Sequence, residues 1–168
     1  MPFVWAVVAL LVTSGAAPAS VVALNQAVTC EQTPSQDLLP DVVGPLSGSS
    51  PAWLVSGNEA QRWEGSTGPV KTLWVFARTA RDVRVVGRRR EGSGALFFQR
   101  DLSEPKGNTL VIPNPARMSV IPGGASPDVM RAYAFIPSYV FYPSPGCWEF
   151  LVRVGGDEVR IVREVKGR

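Results

Sequence analysis

Residues 147–165 read CWEFLVRV, then GG, then DEVRIVREV, and this stretch decides the fold class. In the first run Trp148, Phe150, Val152 and Val154 fall on one face, while Cys147, Glu149, Leu151 and Arg153 take the other. That is the period-two signature of a half-buried strand. Gly155-Gly156 then turns the chain, since glycine tolerates the positive φ angles of tight hairpins. The return run keeps Val159, Ile161 and Val165 inside the alternation, with Glu158, Arg160 and Arg163 outward or at its edge. The unit is a β-hairpin.

Working outward, Val70–Thr79 (VKTLWVFART) alternates on both faces with largely apolar residues, which predicts a central strand. Shorter strand-like runs lie at Ala52–Ser56, Asp82–Arg88, Ala95–Arg100, Thr109–Ile112, Arg131–Ile136 and Tyr139–Tyr142. Asn58–Glu64 has room for two helical turns. The 16 glycines and 15 prolines in 168 residues are too many for a helical bundle and suit short strands joined by turns. The length fits one domain. A β-sandwich is expected over residues 51–168, after an extended Pro/Ser/Gly-rich lead-in over 25–50. Leu102–Met130 reads as a long connection around one strand.

The first charged side chain is Glu31. Before it, Val4–Val12 (VWAVVALLV) is a compact apolar run, followed by the small residues of Ser14–Ser20, with Ala17-Pro18-Ala19 as a cleavage site and Ala23 or Ala27 as alternatives. Residues 1–24 therefore read as a signal peptide, a hydrophobic leader helix. Met1-Pro2-Phe3 lacks the basic residue with which such leaders open: either the amino group suffices or the true start lies upstream. The alternative is an uncleaved anchor, weakened by Gly15 and Pro18 and by the lack of a basic flank. An exported protein meets an oxidising compartment, and there Cys30 and Cys147, the two cysteines, read as a disulfide. Two free thiols, or a lipid-modified Cys30, are the competing readings. Thr29 does not suit the small residue that lipid attachment wants before its cysteine.

The chain has no histidine. That excludes Ser-His-Asp and Cys-His centres and a His-ligated zinc. The three lysines, Lys71, Lys106 and Lys166, accompany no Gly-x-Ser-x-Gly elbow, and no CxxC, EF-hand or phosphate loop occurs. No cofactor and no metal are expected. Fourteen scattered carboxylates leave a carboxylate-based hydrolase as a remote alternative.

Arg78, Arg81, Arg84, Arg88, Arg89 and Arg90 are opposed within their run only by Asp82. On an exposed strand and turn, Arg84, Arg88, Arg89 and Arg90 are candidate anion-binding residues for phosphate or sulfate groups, anionic lipid or an acidic glycan. The competing reading is a solvated edge strand protected from aggregation by charge. Nucleic acid is disfavoured, because an exported protein rarely meets it and no recognition motif is present. In the aromatic run Arg131–Tyr142, alternation puts Tyr133 and Phe135 on one face, which predicts core rather than a sugar-stacking surface.

Tyr142-Pro143-Ser144-Pro145-Gly146-Cys147-Trp148-Glu149 resembles the end of an immunoglobulin-like bacterial surface domain. Thr29-Cys30-Glu31-x-Thr33-Pro34, Pro51-x-Trp53-Leu54-Val55 and Val70-Lys71-Thr72-Leu73-Trp74, with that PxPGCWE ending, are similar to an uncharacterised group of secreted bacterial proteins. The resemblance spans most of the chain after the leader. It implies an all-β, immunoglobulin-like β-sandwich with Cys30 and Cys147 paired, and it implies no activity. The resulting expectation is an exported, non-enzymatic module, extracellular or in the cell envelope, that binds or builds. Its partners are an envelope polymer, a lipid or a protein, with membrane contact only through an uncleaved leader. A basic-patch binder of anionic polymer or lipid is the alternative.

Overall fold

The computed structural model describes residues 29–56, 61–62 and 68–167. The expected leader lies outside the described residues. Two sheets hold the strands. The first contains β1 (Ser35–Gln36), β2 (Leu46–Ser49), β3 (Ala52–Val55), β5 (Val70–Ala77), β7 (Phe97–Gln99) and β9 (Tyr133–Phe141), in the order β1-β2-β3-β5-β9-β7. The second contains β4 (Gln61–Arg62), β6 (Val83–Arg89), β8 (Thr109–Ile112), β10 (Gly146–Val154) and β11 (Asp157–Lys166), in the order β4-β11-β10-β6-β8. Neighbours run antiparallel except β4 beside β11, which is parallel. Two short helices, α1 (Pro115–Met118) and α2 (Pro127–Ala132), precede β9. The chain is all-β in class.

The hairpin forms in the register that its alternation dictates, from Val154 opposite Asp157 to Gly146 opposite Val165. Gly155 sits at φ +58, in the left-handed region that a side chain disfavours. Its inward residues Trp148, Phe150 and Val152 are fully buried. Phe150 meets Trp74 of β5 edge-on at 5.6 Å between ring centroids, Phe98 of β7 at 6.3 Å and Tyr142 at 6.4 Å. One cluster thus contains residues of both sheets, which face each other across it. Trp74 satisfies its indole N–H on Ser138 Oγ at 3.0 Å, and Ser138 lies 3.0 Å from Thr72 Oγ1. Gly87 is needed for space: a Cβ there would lie 2.4 Å from the Leu96 side chain, which covers it.

β5 lies between β3 and β9, as its doubly apolar pattern requires. Trp74 and Phe76 point into the space between the sheets, whereas Val75 and Leu73 join a second cluster outside. There Leu39, Val42 and Val43 of the lead-in, with Val129 and Met130 of α2, cover Trp53, Val75, Phe135 and Tyr133. Phe135 is buried and Tyr133 half-buried, but both pack in this outer cluster rather than between the sheets.

Three local expectations change. The separate strands expected at 131–136 and 139–142 are one, β9, which runs through Pro137. Arg131 and Ala132 belong instead to α2, which Ser126 caps by accepting from Val129 N–H and Pro127 opens at its first turn. In the segment 58–64, Gln61 and Arg62 are strand β4, not helix; the other five residues lie outside the described set. The boundary expected at residue 51 falls inside the β2–β3 hairpin, because Leu46 of the lead-in is wholly buried and pairs with Val55.

The lead-in also crosses from one sheet to the other. Thr33 donates its N–H to Val162 O at 3.1 Å and accepts from Val162 N–H on Oγ1 at 2.8 Å. Gln32 Oε1 accepts from Glu164 N–H at 3.3 Å. Two residues later the same chain is β1, paired with β2 of the first sheet. Its start is held by a disulfide between Cys30 and Cys147, separated by 117 positions and with Cys147 fully buried.

Phe150→Ala should cost about 3–5 kcal/mol, the range for truncating a buried aromatic, measured as a fall in the denaturant midpoint at unchanged slope. Cys30→Ser with Cys147→Ser should lower stability by roughly 4–5 kcal/mol on the loop-closure model. Reductant should bring the parent to the same midpoint.

Candidate functional site

The arginine tract does not make one surface. In β6 the burial alternates, with Val83, Val85 and Gly87 inward and Arg84, Val86 and Arg88 outward. Arg88 is committed: its guanidinium lies 2.6 Å from the carboxylate of Glu149, which is almost wholly buried on the neighbouring strand. Such a carboxylate must be paired to be tolerated out of water. Arg89 turns to the end of the inner face, where Nη1 donates to Ser144 Oγ at 3.2 Å and Nε reaches Glu91 at 3.4 Å. Glu91 in turn accepts from Cys147 N–H at 2.9 Å. Arg90 is exposed in the turn, and its N–H donates to Cys147 O at 2.8 Å. Of the four predicted anion-binding residues, two hold the hairpin to β6 by side-chain contacts, and only Arg84 and Arg90 present unengaged guanidinium groups.

Strand register brings other arginines to Arg84. On the outer face of the second sheet, Arg84 of β6 stands directly opposite Arg153 of β10. Arg153 stands opposite Glu158 of β11, and Arg160 lies two residues further along β11, opposite Leu151. Directly opposed residues sit about 4.5–5.5 Å apart at Cβ, and like charges so placed repel. Glu158 accepts from Arg153 Nε at 3.3 Å and from Arg160 Nη2 at 2.9 Å. Arg153 and Arg160 therefore share one carboxylate, and no ion pair reaches Arg84 among the described residues. Arg153 and Arg160 lie far from the tract in sequence. The signal that finds them is the hairpin alternation itself, which already turns Arg153 and Arg160 away from the core.

A second feature lies at the sheet edges. A cleft of about 420 Å³ is lined by Phe98, Arg100, Pro105, Leu110, Pro113 and Met118, among others, between β7, the loop after it, β8 and α1. A shallower hollow of about 250 Å³ continues past Arg100 and Met118 to Val120, Ile136 and Pro137. Arg100 is paired with Glu104, and Lys106 sits 3.9 Å above the Phe141 ring. The lining mixes apolar side chains with Gln99, Thr109 and the Arg100–Glu104 ion pair, and among the described residues no nucleophile–base pair converges on it.

The buried titratable groups are structural. Tyr142 is fully buried, and desolvation pushes its phenol far above the ordinary range, against a smaller opposing pull from Arg163. Arg163 is lowered by its own burial, partly offset by Tyr142. It donates from Nη2 to Ser56 Oγ at 2.6 Å and to Val55 O at 3.2 Å, so it ties β11 to the end of β3. On the exposed loop after β7, by contrast, hydrogen bonds from the Ser103 backbone and hydroxyl hold the Asp101 carboxyl below its usual value. Among the described residues, no three His, Cys, Asp or Glu side chains gather to ligate a metal.

No protein-family model and no curated protein sequence matches the chain. The fold is nevertheless shared. A crystal structure of a "Putative Lipoprotein from Bacillus anthracis" is similar to this one at a TM-score of 0.51 and 17% identity, over 90% of this chain and 98% of the other. At that identity the likeness is one of fold.

The Arg153 and Arg160 hydrogen bonds, in that order, lower the Glu158 pKa. The pairing therefore stabilises the fold above the ordinary carboxylate pKa and fades as pH falls through the depressed folded value. An NMR titration of the Glu158 carboxyl should show a midpoint below that of a free glutamate. Arg153→Ser with Arg160→Ser should return it to the ordinary value.

Proposed function

We propose that this chain is an exported, non-enzymatic immunoglobulin-like module of the cell envelope that works by binding. The observation that carries the reading is the Cys30–Cys147 disulfide. A bond of this kind persists in oxidising compartments, and it begins just after the apolar stretch that reads as a secretory leader. The engaged sulfur also argues against Cys30 as a lipid-attachment point, since a thioether needs that same atom. The fold likeness to a protein described as a lipoprotein agrees with an envelope location.

The two facing sheets, with Trp148 fully buried at the start of the penultimate strand, support the immunoglobulin-like reading. The PxPGCWE resemblance to secreted bacterial proteins supports it too. The non-enzymatic reading rests on what the acidic groups do. Glu149, Glu158, Glu91, Glu104 and Asp128 each accept from an arginine or a backbone N–H that fixes a strand, turn or helix end. A general acid needs a carboxyl with a raised pKa near its working pH, whereas Glu158 and Asp101 are shifted the other way.

The intact mass of the protein recovered from its host decides the matter. The expected result is a species of roughly 15–16 kDa after loss of the leader, against 18.1 kDa for the full chain, with both thiols blocked to alkylation until reductant is added. A full-length species in the membrane fraction, a lipid-heavier mass, or two freely alkylated thiols would overturn the reading.

A further inference from the structure

We infer that Arg84, Arg153 and Arg160 form a binding site for a soluble polymer bearing phosphate or sulfate groups. The site deepens the binding-module reading above and rests on it.

The register puts Arg84 and Arg153 side by side on adjacent strands, and Arg160 completes the group on the third strand. Their side chains reach solvent: those of Arg153 and Arg160 are 67% and 60% exposed while sharing Glu158, and Arg84 is exposed and unpaired among the described residues. Like charges directly opposed across a sheet destabilise it, so this pair stands against the stability of the fold unless a counter-charge bridges it. Glu158 bonds to Arg153 and Arg160 but supplies one negative charge against three positive ones. The excess charge sits on planar forks of N–H donors, which match the oxygens of a tetrahedral oxyanion better than lysine ammonium groups do. The chain places arginine at all three positions. Arg88 is as exposed as Arg160, but Glu149 matches its charge one to one, whereas Glu158 is shared between two arginines; Arg89 is held by Glu91 and Ser144.

A soluble polymer fits the face better than a membrane surface. Membrane-surface binding combines charge with buried apolar side chains. The most exposed large apolar residues, Ile121 and Leu102, lie on segments beside the cleft at the β7–β8 side, away from the β10–β11 hairpin that carries Arg153 and Arg160. Beside Arg84 stand two valines, Val111, its partner on β8, and Val86, two residues along β6, with no exposed aromatic or leucine among the described residues there. The sheet face offers a row of charges across strands about 4.8 Å apart, which suits successive charged groups of an extended chain.

The test is titration of the disulfide-intact protein with long-chain polyphosphate and, separately, dextran sulfate at low ionic strength, alongside vesicles of phosphatidylglycerol and phosphatidylcholine. The parent should bind the soluble polymers, with affinity falling as salt rises. Arg84→Ser, Arg153→Ser and Arg160→Ser together should weaken binding at least tenfold. A charge-matched control, Arg90→Ser with Arg117→Ser and Arg131→Ser, should change it less than threefold. Glu158→Gln should tighten binding severalfold, because it frees the guanidinium groups it now holds. A single cooperative thermal transition would show that each variant is folded. The inference is overturned if the parent binds neither polymer, if the control triple loses as much as the site triple, or if vesicles alone are bound. None of these outcomes touches the export reading, which the intact mass and thiol state decide separately.

Discussion

The packing of Phe150 against Trp74, Phe98 and Tyr142 is the constraint on which the rest of the molecule depends. Trp74 and Phe98 stand on one sheet and Phe150 on the other, so the contact closes the two sheets face to face. Aromatic pairs of this geometry add about 0.5–1.5 kcal/mol each beyond the area they bury. The contact also dictates what happens outside. Once Trp148, Phe150 and Val152 point inward, the two-residue period turns Cys147, Glu149 and Arg153 outward. The inner face of β6 obeys the same rule, and Gly87 makes room there for Leu96. The placement of Arg84 opposite Arg153 is therefore a consequence of the core packing of the adjacent residues Val83, Val85, Val152 and Val154.

The two sides of the paired sheets are managed differently. On one, the lead-in runs beside β11, crosses, and becomes β1, so that Thr33, Gln32 and the Cys30–Cys147 bond occupy backbone and side-chain positions that would otherwise face water. On the other, β7 and β8 end their sheets, and the chain between them returns to β7 by a bridge between Phe98 and Gly107 beside the cleft. Edge strands left free invite pairing with other chains, and β7 and β8, at three and four residues, are short. The disulfide adds to the closed side what no core contact supplies: it restricts the unfolded chain across most of the domain.

Much of this was legible in the residues. The hairpin at 147–165, its glycine turn and the central position of β5 follow from periodicity alone, because each side chain's face depends only on its neighbours in the strand. The strand limits near α2 were not legible, although Ser126-Pro127 is a helix-start signal, because Arg131–Ile136 also alternates like a strand. The burial of Tyr133 and Phe135 was legible, but not the side on which it occurs, since alternation separates faces without saying what covers them. For the arginines, adjacency in sequence was misleading. Consecutive residues of a strand point to opposite faces, so the run 88–90 is dispersed.

By itself the amino-acid sequence determined the fold class, the two-residue period of the main strands, the absence of histidine chemistry and the presence of two cysteines that can pair with each other alone. These depend on composition and local spacing. Only the tertiary structure decided which charges are spent and which are free, because that depends on strand register across residues up to seventy or more positions apart, as in Arg84 and Arg160. A carboxylate such as Glu149 claims its arginine when packing removes it from water, and no property of residue 149 read along the chain announces that.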